Sequence, residues 1–408
     1  MARDDPQVVI AGGGMVGLTL SLALAQGGLR VLLADPLPLQ KTRSAEFDGR
    51  VSAISYSSAR MLDVLGVWKA LQNDAEPIRD ILVTDAKTGE APSPLSLHFD
   101  HHEIGEAMGY IAENRHIRAA LLDAATTAEA LEIANPDRVC DFVRYRDALE
   151  VHLESGRTVR PSLLVAAEGR DSPSRERAEI GVVAWSYPQR GIVATVEHEH
   201  PHDGVAYEHF LPSGPFAILP MTGNRSSLVW TEREEIAGPI LQLPQPDFET
   251  EIARRFGAHL GNIRTEGPRW SYPLNFHLAR GYVRPRFALV GDAAHGIHPI
   301  AGQGLNLGFK DVAALSEVVL DAARLGLDVG TADVLRRYER WRRFDSFVLA
   351  AATDALNRLF SNDFTPVRLV RDLGLGVVDA IAPMRRFFMR HAGGAAGRLP
   401  RLLRGEAA

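Results

Sequence analysis

Three glycines in the run Gly12-Gly13-Gly14-Met15-Val16-Gly17 follow the apolar tetrapeptide Val8-Val9-Ile10-Ala11. Each glycine of this G-x-G-x-x-G spacing has its own task. Gly12 permits a tight turn, Gly14 lets the backbone approach a pyrophosphate, and Gly17 lets the following helix pack on the strand. The first turn of that helix then offers unpaired N–H groups and the positive end of its dipole to the phosphates. Asp35 stands 18 residues after Gly17, at the end of the next apolar run Val31-Leu32-Leu33-Ala34, where a carboxylate can accept ribose hydroxyls. An acid there disfavours a 2′-phosphate, so this site suits FAD or NAD better than NADP.

A second constellation lies far downstream. Gly291-Asp292-Ala293-Ala294-His295 follows the apolar run Phe287-Ala288-Leu289-Val290, and His298-Pro299-Ile300-Ala301-Gly302-Gln303-Gly304-Leu305-Asn306 comes directly after. Asp292 at a strand tip can hold the ribityl hydroxyls of a flavin. Gly302 and Gly304 open a helix whose free N–H groups can stabilise negative charge on a reduced isoalloxazine ring. A plain NAD dehydrogenase has no use for a second loop of this kind. The pair of loops selects FAD.

These residues need elements to position them. Residues 8–35 read as one βαβ unit, with its helix over Val16 to Gln26. Further helices are expected over Ser57 to Leu65, Asn114 to Glu129 and Gly304 to Arg324, and buried strands at Leu163 to Ala167 and Phe287 to Val290. The stretch from Gly191 to Trp230 alternates or is aromatic-rich between prolines and glycines, which predicts an antiparallel sheet. From Asp333 helical periodicity dominates, broken near Pro366 and Pro383. The 408 residues exceed one ordinary hydrophobic core. The expected architecture is therefore α/β: a Rossmann-like FAD-binding domain (1–75, 108–182 and 277–345), an inserted, mostly antiparallel β substrate domain (76–107 and 183–276), and a C-terminal helical segment (346–408).

Residues 298–311 (HPIAGQGLNLGFKD) closely resemble the signature of the FAD-dependent ubiquinone-biosynthesis hydroxylases, relatives of para-hydroxybenzoate hydroxylase. Residues 203–220 and 353–374 match that subfamily in style. The resemblance implies a monooxygenase that hydroxylates the ring of a prenylated phenol with O₂ through a C4a-hydroperoxyflavin. NAD(P)H or an electron-transfer protein would reduce the FAD. It further implies that Gly12, Gly14, Met15, Val16, Gly17 and Asp35 hold the ADP half, and that Arg50 and Arg115 touch the flavin or its phosphates. Gly291 and Asp292 would meet the ribityl chain. Pro299, Gly302, Gln303 and Gly304 would lie around the ring, with Leu305 and Asn306 beside them and no acid or base assigned. Relatives carry Asp-Gly where this chain has Glu168-Gly169. That pair, too, is expected at the cofactor, with Glu168 one methylene longer than the usual Asp. Two other enzyme readings remain open at this stage: a phenol hydroxylase outside quinone synthesis, or a flavoprotein dehydrogenase that uses no O₂. A third is a non-catalytic FAD-fold escort of a prenylated protein.

Composition narrows the partners. A formal net charge of −6 argues against nucleic acid, and Cys140 as sole cysteine excludes an internal disulfide and fits a cytoplasmic setting. No run is apolar enough to span a membrane. The tail from Met384 to Arg404 holds six arginines and no acid, beside Phe387 and Phe388. It reads as a solvated helix end or as a peripheral contact with anionic lipid or a biosynthetic partner. His98, His101, His102 and Glu103, and likewise His198, His200 and His202, are metal-type clusters. Their polar, proline-containing flanks and the absence of cysteine assign both to solvated surface, so no metal is expected. Ser172 lacks a nucleophile elbow, which disfavours a hydrolase triad. Trp185, Trp230 and Trp270 read as core or pocket wall, and His295 and His298 as neighbours of the flavin.

Overall fold

The computed structural model describes residues 5–43, 46–85, 88–89, 96–103, 105–297, 302–360, 386, 389, 393–394 and 397–408. The chain opens with β1 (Val8–Ala11), α1 (Met15–Gln26), β2 (Val31–Ala34) and α2 (Leu39–Thr42). Next come β3 (Val51–Ser55), α3 (Tyr56–Val64), α4 (Trp68–Leu71), β4 (Ala75–Ile78), β5 (Asp80–Asp85), β6 (Ser96–Asp100), β7 (Gly109–Glu113) and α5 (Asn114–Thr126). β8 (Leu131–Ala134), β9 (Val139–Arg144), β10 (Leu149–Leu153), β11 (Thr158–Val159), β12 (Leu163–Ala166) and α6 (Pro173–Arg177) follow. A long β region holds β13 (Val182–His198), β14 (Val205–Leu211), β15 (Gly214–Met221), β16 (Arg225–Arg233), α7 (Glu234–Leu241), α8 (Gln245–Phe256) and β17 (Ile263–Ala279). The remaining elements are β18 (Val283–Arg284), β19 (Phe287–Leu289), β20 (His295–Gly296), α9 (Gly304–Arg324), α10 (Ala332–Phe360) and α11 (Arg401–Arg404).

β1, β2, β12 and β19 are short apolar runs buried at every position, as parallel strands covered on both faces must be. They form one sheet in the order β18-β19-β12-β1-β2-β8, parallel except at the edge strand β18. α1 packs against α5 and α9 and is buried from Gly17 to Ala25, so its sequence is apolar nearly all round. The expected βαβ unit, the helices and the downstream strands are present, with ends moved by one to three residues.

The second large sheet has the order β20-β17-β13-β16-β15-β14-β5-β6, antiparallel apart from the β14–β5 pair. Alternation sends Ile192, Ala194, Leu228, Trp230, Phe216 and Ile218 to one face, where α7 and α8 cover them with Ala237, Ile240, Phe248, Ile252 and Phe256. The opposite face presents Ala206 and Phe210, which pack with Ile81, Val83 and Leu219 onto Val51, Ala53 and Ile111 of the small sheet β3-β7-β4. The sheet anticipated over 191–230 is thus present. Its register explains why one face is dry core while the other looks toward the nucleotide loops.

Of the histidines at 198, 200 and 202, His200 is exposed as expected, but the other two are not solvated. β13 ends at His198, and His198 and His202 are 6% and 7% exposed. His198 Nε2 meets Ser226 Oγ at 3.1 Å, and His202 Nε2 meets the Met221 carbonyl oxygen at 2.7 Å. Their ring nitrogens satisfy the buried backbone and hydroxyls of a strand corner. A one-dimensional alternation pattern misses that use. Among the first group His98 and His102 are exposed, as expected, and among the described residues Asp100, His101 and His102 alone bring metal-type atoms within 4.8 Å of one another.

Candidate active site

The glycine turn meets its steric requirements residue by residue. Gly12 has φ +103°, and a Cβ there would stand 2.5 Å from the Ala167 carbonyl oxygen. A Cβ at Gly17 would stand 1.9 Å from the Gly12 oxygen, which lets α1 lie directly on the β1 turn. Gly14 is different, because a Cβ there would meet nothing within 4 Å. Gly14 also caps α1, and no side chain accepts from the first-turn N–H groups of Met15, Val16 and Gly17. Asp35 closes the other side. Its Oδ2 accepts from Gly13 N at 2.5 Å and its Oδ1 from Leu37 N at 2.8 Å, so a lone pair on each oxygen stays available to ribose hydroxyls. An uncapped helix start facing open space beside a carboxylate fits the ADP half of FAD.

The downstream loop is locked onto this turn. Val16 fills a notch made by two glycines: a Cβ at Gly291 would lie 3.2 Å from Val16 Cγ1, and one at Gly308 would lie 2.7 Å from Val16 Cγ2. Gly291 has φ +61° and donates its N–H to Asp311 Oδ2 at 2.9 Å. The same Oδ2 lies 2.5 Å from His295 Nε2, and Asp311 Oδ1 accepts from Arg342 Nε at 2.8 Å. Burial by itself would raise the Asp311 carboxyl, but the adjoining His295 and Arg342 hold it below the usual carboxylate range. His295 therefore serves the loop as a buried anchor. Asp292 is exposed, with its carbonyl oxygen receiving His277 Nε2 at 2.7 Å.

Among the described residues, no side chain caps α9 at its start and a Cβ at Gly304 would meet nothing within 4 Å. Gly302, at φ +61°, sits against β3, where its Cβ would be 2.9 Å from Ala53 Cβ. Leu305 is half-buried beside them, with Gln303 at the cap position. Asn306 is 1% exposed and fully engaged: its Oδ1 accepts from Ser55 N and Ser58 Oγ, and its Nδ2 donates to the Ala53 oxygen. Only the main chain of Asn306 is thus left for a cofactor. Pro299 and His298 lie outside the described residues, as does most of 353–374 beyond Phe360. The open, uncapped start of this long helix, close to β3, suits a flavin ring that gains negative charge on reduction.

Arg50 pairs with Asp48 at 2.7 Å and lies 5.9 Å from the Trp270 ring centroid. Arg115 pairs with Glu113 at 2.7 Å, and Glu113 also receives Arg225 at 2.9 Å. Both arginines stand where the small sheet meets the large one, Arg50 beside Trp270 of β17 and Arg115 sharing Glu113 with Arg225 of β16. Glu168 accepts from Ser172 Oγ at 2.6 Å and from Ser174 N and Oγ, so its extra methylene is used to close the turn onto α6. Gly169 supplies that turn with φ +79°. Buried Arg175 donates to the carbonyl oxygens of Arg170 and Ala293, tying the 168–175 turn to the downstream loop. The anchoring roles of Arg175, Asp311 and Arg342 were not legible beforehand. Asp311 closes the quoted signature, but its partner 31 residues further on is joined to it only by the fold.

Comparison with known proteins agrees with this geometry. Residues 5–343 match the family model described as FAD binding domain. The chain is 49% identical to the ubiquinone hydroxylase UbiL of Rhodospirillum rubrum, covering 98% of this chain and 92% of that one. It is 34% identical to the 3-demethoxyubiquinol 3-hydroxylase of Escherichia coli (96% and 99% covered) and 32% identical to the human mitochondrial ubiquinone biosynthesis monooxygenase COQ6 (94% and 92%). Among solved structures, p-nitrophenol 4-monooxygenase PnpA of Pseudomonas putida superposes with a TM-score of 0.78 at 18% identity, over 97% of this chain and 99% of that one, a likeness of fold. The chain belongs to the FAD-dependent monooxygenases of ubiquinone biosynthesis, with the fold of the aromatic hydroxylases.

Proposed function

We propose that this enzyme hydroxylates the aromatic ring of a prenylated phenol on the way to ubiquinone, using FAD, O₂ and electrons from NAD(P)H or an electron-transfer protein. The observation that carries the reading is the pair of uncapped helix starts at Gly14 and Gly304, locked together through Val16 in the notch of Gly291 and Gly308. Bound FAD supplies the oxygen activation; the chain's residues bind it, orient the ring and exclude water. In this reading residues 1–75, 108–182 and 277–345 hold the cofactor, while 76–107 and 183–276 wall the substrate.

A prenyl tail partitions into a bilayer at about 0.8 kcal/mol per buried CH₂, so the enzyme must collect its substrate at a surface or from a carrier. No described helix is long and apolar enough to cross a membrane. The extreme C-terminus is not a free basic arm. Arg401 is tied to Glu317 and Asp321 of α9, and Leu402 and Leu403 are buried. Arg385, Phe387, Phe388 and Arg390 lie outside the described residues. A better candidate for peripheral contact with an anionic lipid surface is the outer face of α10. There exposed Arg337, Arg340 and Arg343 are followed by Phe344, Phe347 and Val348 at 72%, 57% and 48% exposure.

The function is tested by O₂ consumption in the purified yellow protein, with and without a prenylated phenol. Substrate-independent O₂ uptake with no hydroxylated product sinks the monooxygenase assignment. The quinone precursor that accumulates in a strain lacking the gene identifies the step.

A further inference from the structure

Glu208 stands on the face of the large sheet that looks toward β3, between Ala206 and Phe210, which are both 4% exposed. Glu208 itself keeps an intermediate share of accessible surface. That retained surface, between two buried neighbours on the same face, is where a ligand would reach the carboxyl. Among the described residues, nothing donates a hydrogen bond to that carboxyl and no cation pairs with it. Burial alone pushes it up to about 7.

The same row of the sheet runs Val83, Glu208, Ala217, Val229, Val193 and Trp270 by register. It is aliphatic but for the acid and Trp270 at its end, near Gly49. Two residues further along, on the same face, Gly191 leaves room for the Tyr272 ring, which would stand 2.8 Å from a Cβ there. Tyr272, on the same face, is 37% exposed. Thr195 and Ser227, opposite each other on this face, and Thr231 carry buried hydroxyls without partners. The α7/α8 face keeps its Trp230, Phe216 and Leu228 in a packed core. Among the described residues, three buried hydroxyls without partners thus share the face turned to the cofactor loops, where a ligand would meet them. A buried carboxyl without a partner costs stability, and it is expected where function requires it.

Resting on the proposed reading of this enzyme as a phenol hydroxylase, we propose that Glu208 is a catalytic residue that accepts the phenolic O–H of the substrate in a cleft on this sheet face. As a ring carbon bonds one oxygen of O₂ that the flavin has reduced by two electrons, the O–O bond breaks with its electron pair left on the departing oxygen, and the phenolic proton moves to Glu208. When the ring's C–H proton passes to that departing oxygen, which ends as water, the ring rearomatises and the proton on Glu208 returns to the phenolic oxygen. The substrate gains one oxygen atom and the carboxylate is restored. The aliphatic row beside Glu208 takes the ring and the start of its prenyl chain.

Charged and titratable groups on the elements around the cleft are Asp85 on β5, Arg225 of β16 with Glu113 and Glu266, and Tyr272 of β17. None of them contributes to the shift at Glu208.

The test uses holoenzyme carrying Glu208→Gln, reduced chemically to bypass the unknown electron donor, then mixed with O₂ and 2-prenylphenol over a range of pH. The expected result is normal flavin content and an unchanged or higher melting temperature. Hydroxylation should fall roughly 10²-fold or more, with H₂O₂ formed in place of product. The rise in wild-type rate through about pH 7 should vanish in the variant. Wild-type rate and pH profile in the variant would overturn the proposal while leaving the phenol hydroxylase reading intact. A variant that melts lower or loses flavin would assign the carboxyl to the fold, and would equally overturn it. A wild-type enzyme that makes no hydroxylated product from any prenylated phenol would instead refute the functional reading, and this inference with it.

Discussion

Arg342 Nε donates to Asp311 Oδ1 across 2.8 Å, and the two side chains are 2% and 0% exposed. This ion pair joins α9 to α10 and also fixes the downstream loop, because Asp311 Oδ2 holds Gly291 N and His295. Asp311→Asn leaves a buried guanidinium without its counter-charge. Breaking such a pair costs about 3–5 kcal/mol. Denaturant titration should show a loss of that order together with loss of flavin; a stable, yellow variant would contradict the anchoring role.

Gly14 and Gly17 should respond differently to a side chain. Gly14→Val points into space where no atom of the described residues lies within 4 Å, so it should yield a folded protein that does not retain FAD. Gly17→Ala puts a methyl 1.9 Å from the Gly12 oxygen and should impair folding itself. Circular dichroism and flavin absorbance of the two variants separate the effects. Normal flavin content in Gly14→Val would refute the fingerprint assignment.

Asp292→Ala should weaken FAD binding without disturbing the loop, since its exposed carboxylate is free of the Asp311 network. The expected loss is about 1–3 kcal/mol, the range for a hydrogen bond to a charged group. Titration of apoprotein with FAD measures it, and an unchanged affinity excludes the ribityl role.

Acid should destabilise the protein through its buried histidines. Burial, aided by His259, pushes the His209 imidazole down to about 4, with its Nδ1 2.7 Å from Thr84 Oγ1. The unfolded chain binds a proton near pH 6.5 and the folded one only near 4, so this contribution is complete above 6.5 and lost between 6.5 and 4. Its upper bound is roughly 3 kcal/mol. His209→Gln should flatten that limb of the stability curve; a variant as acid-sensitive as wild type would rule out His209 as a source.

Phe344→Asp with Phe347→Asp should abolish binding to anionic vesicles while flavin content and melting temperature stay near wild type, because both rings are exposed. Vesicle binding that survives the double substitution would exclude the α10 face as the membrane contact.

The nucleotide loops were legible in the sequence because their requirements are local. A turn with positive φ and a backbone approach each demand glycine at a fixed offset, and both lie beside runs whose apolar character declares them strands. The βαβ start, the α9 helix and the antiparallel region follow from periodicities of 3.6 and 2 for the same reason. Periodicity does not say which face of a strand meets which neighbour. The histidines at 198 and 202 looked solvated by composition, and tertiary packing buried them against Ser226 and Met221.

Likewise Asn306, read as a cofactor contact, spends its side chain stapling β3 to α9, and Glu168 closes its own turn. The pairing of Asp311 with Arg342, the notch that receives Val16, and the placement of Glu208 opposite β3 depend on register and crossing of elements far apart in the chain. Sequence by itself determined the cofactor, since glycine and carboxylate spacing is a property of a few consecutive residues. Only the tertiary structure decided which polar groups brace the site and which are left facing the cleft, because desolvation and hydrogen bonding are settled by whatever the fold brings alongside.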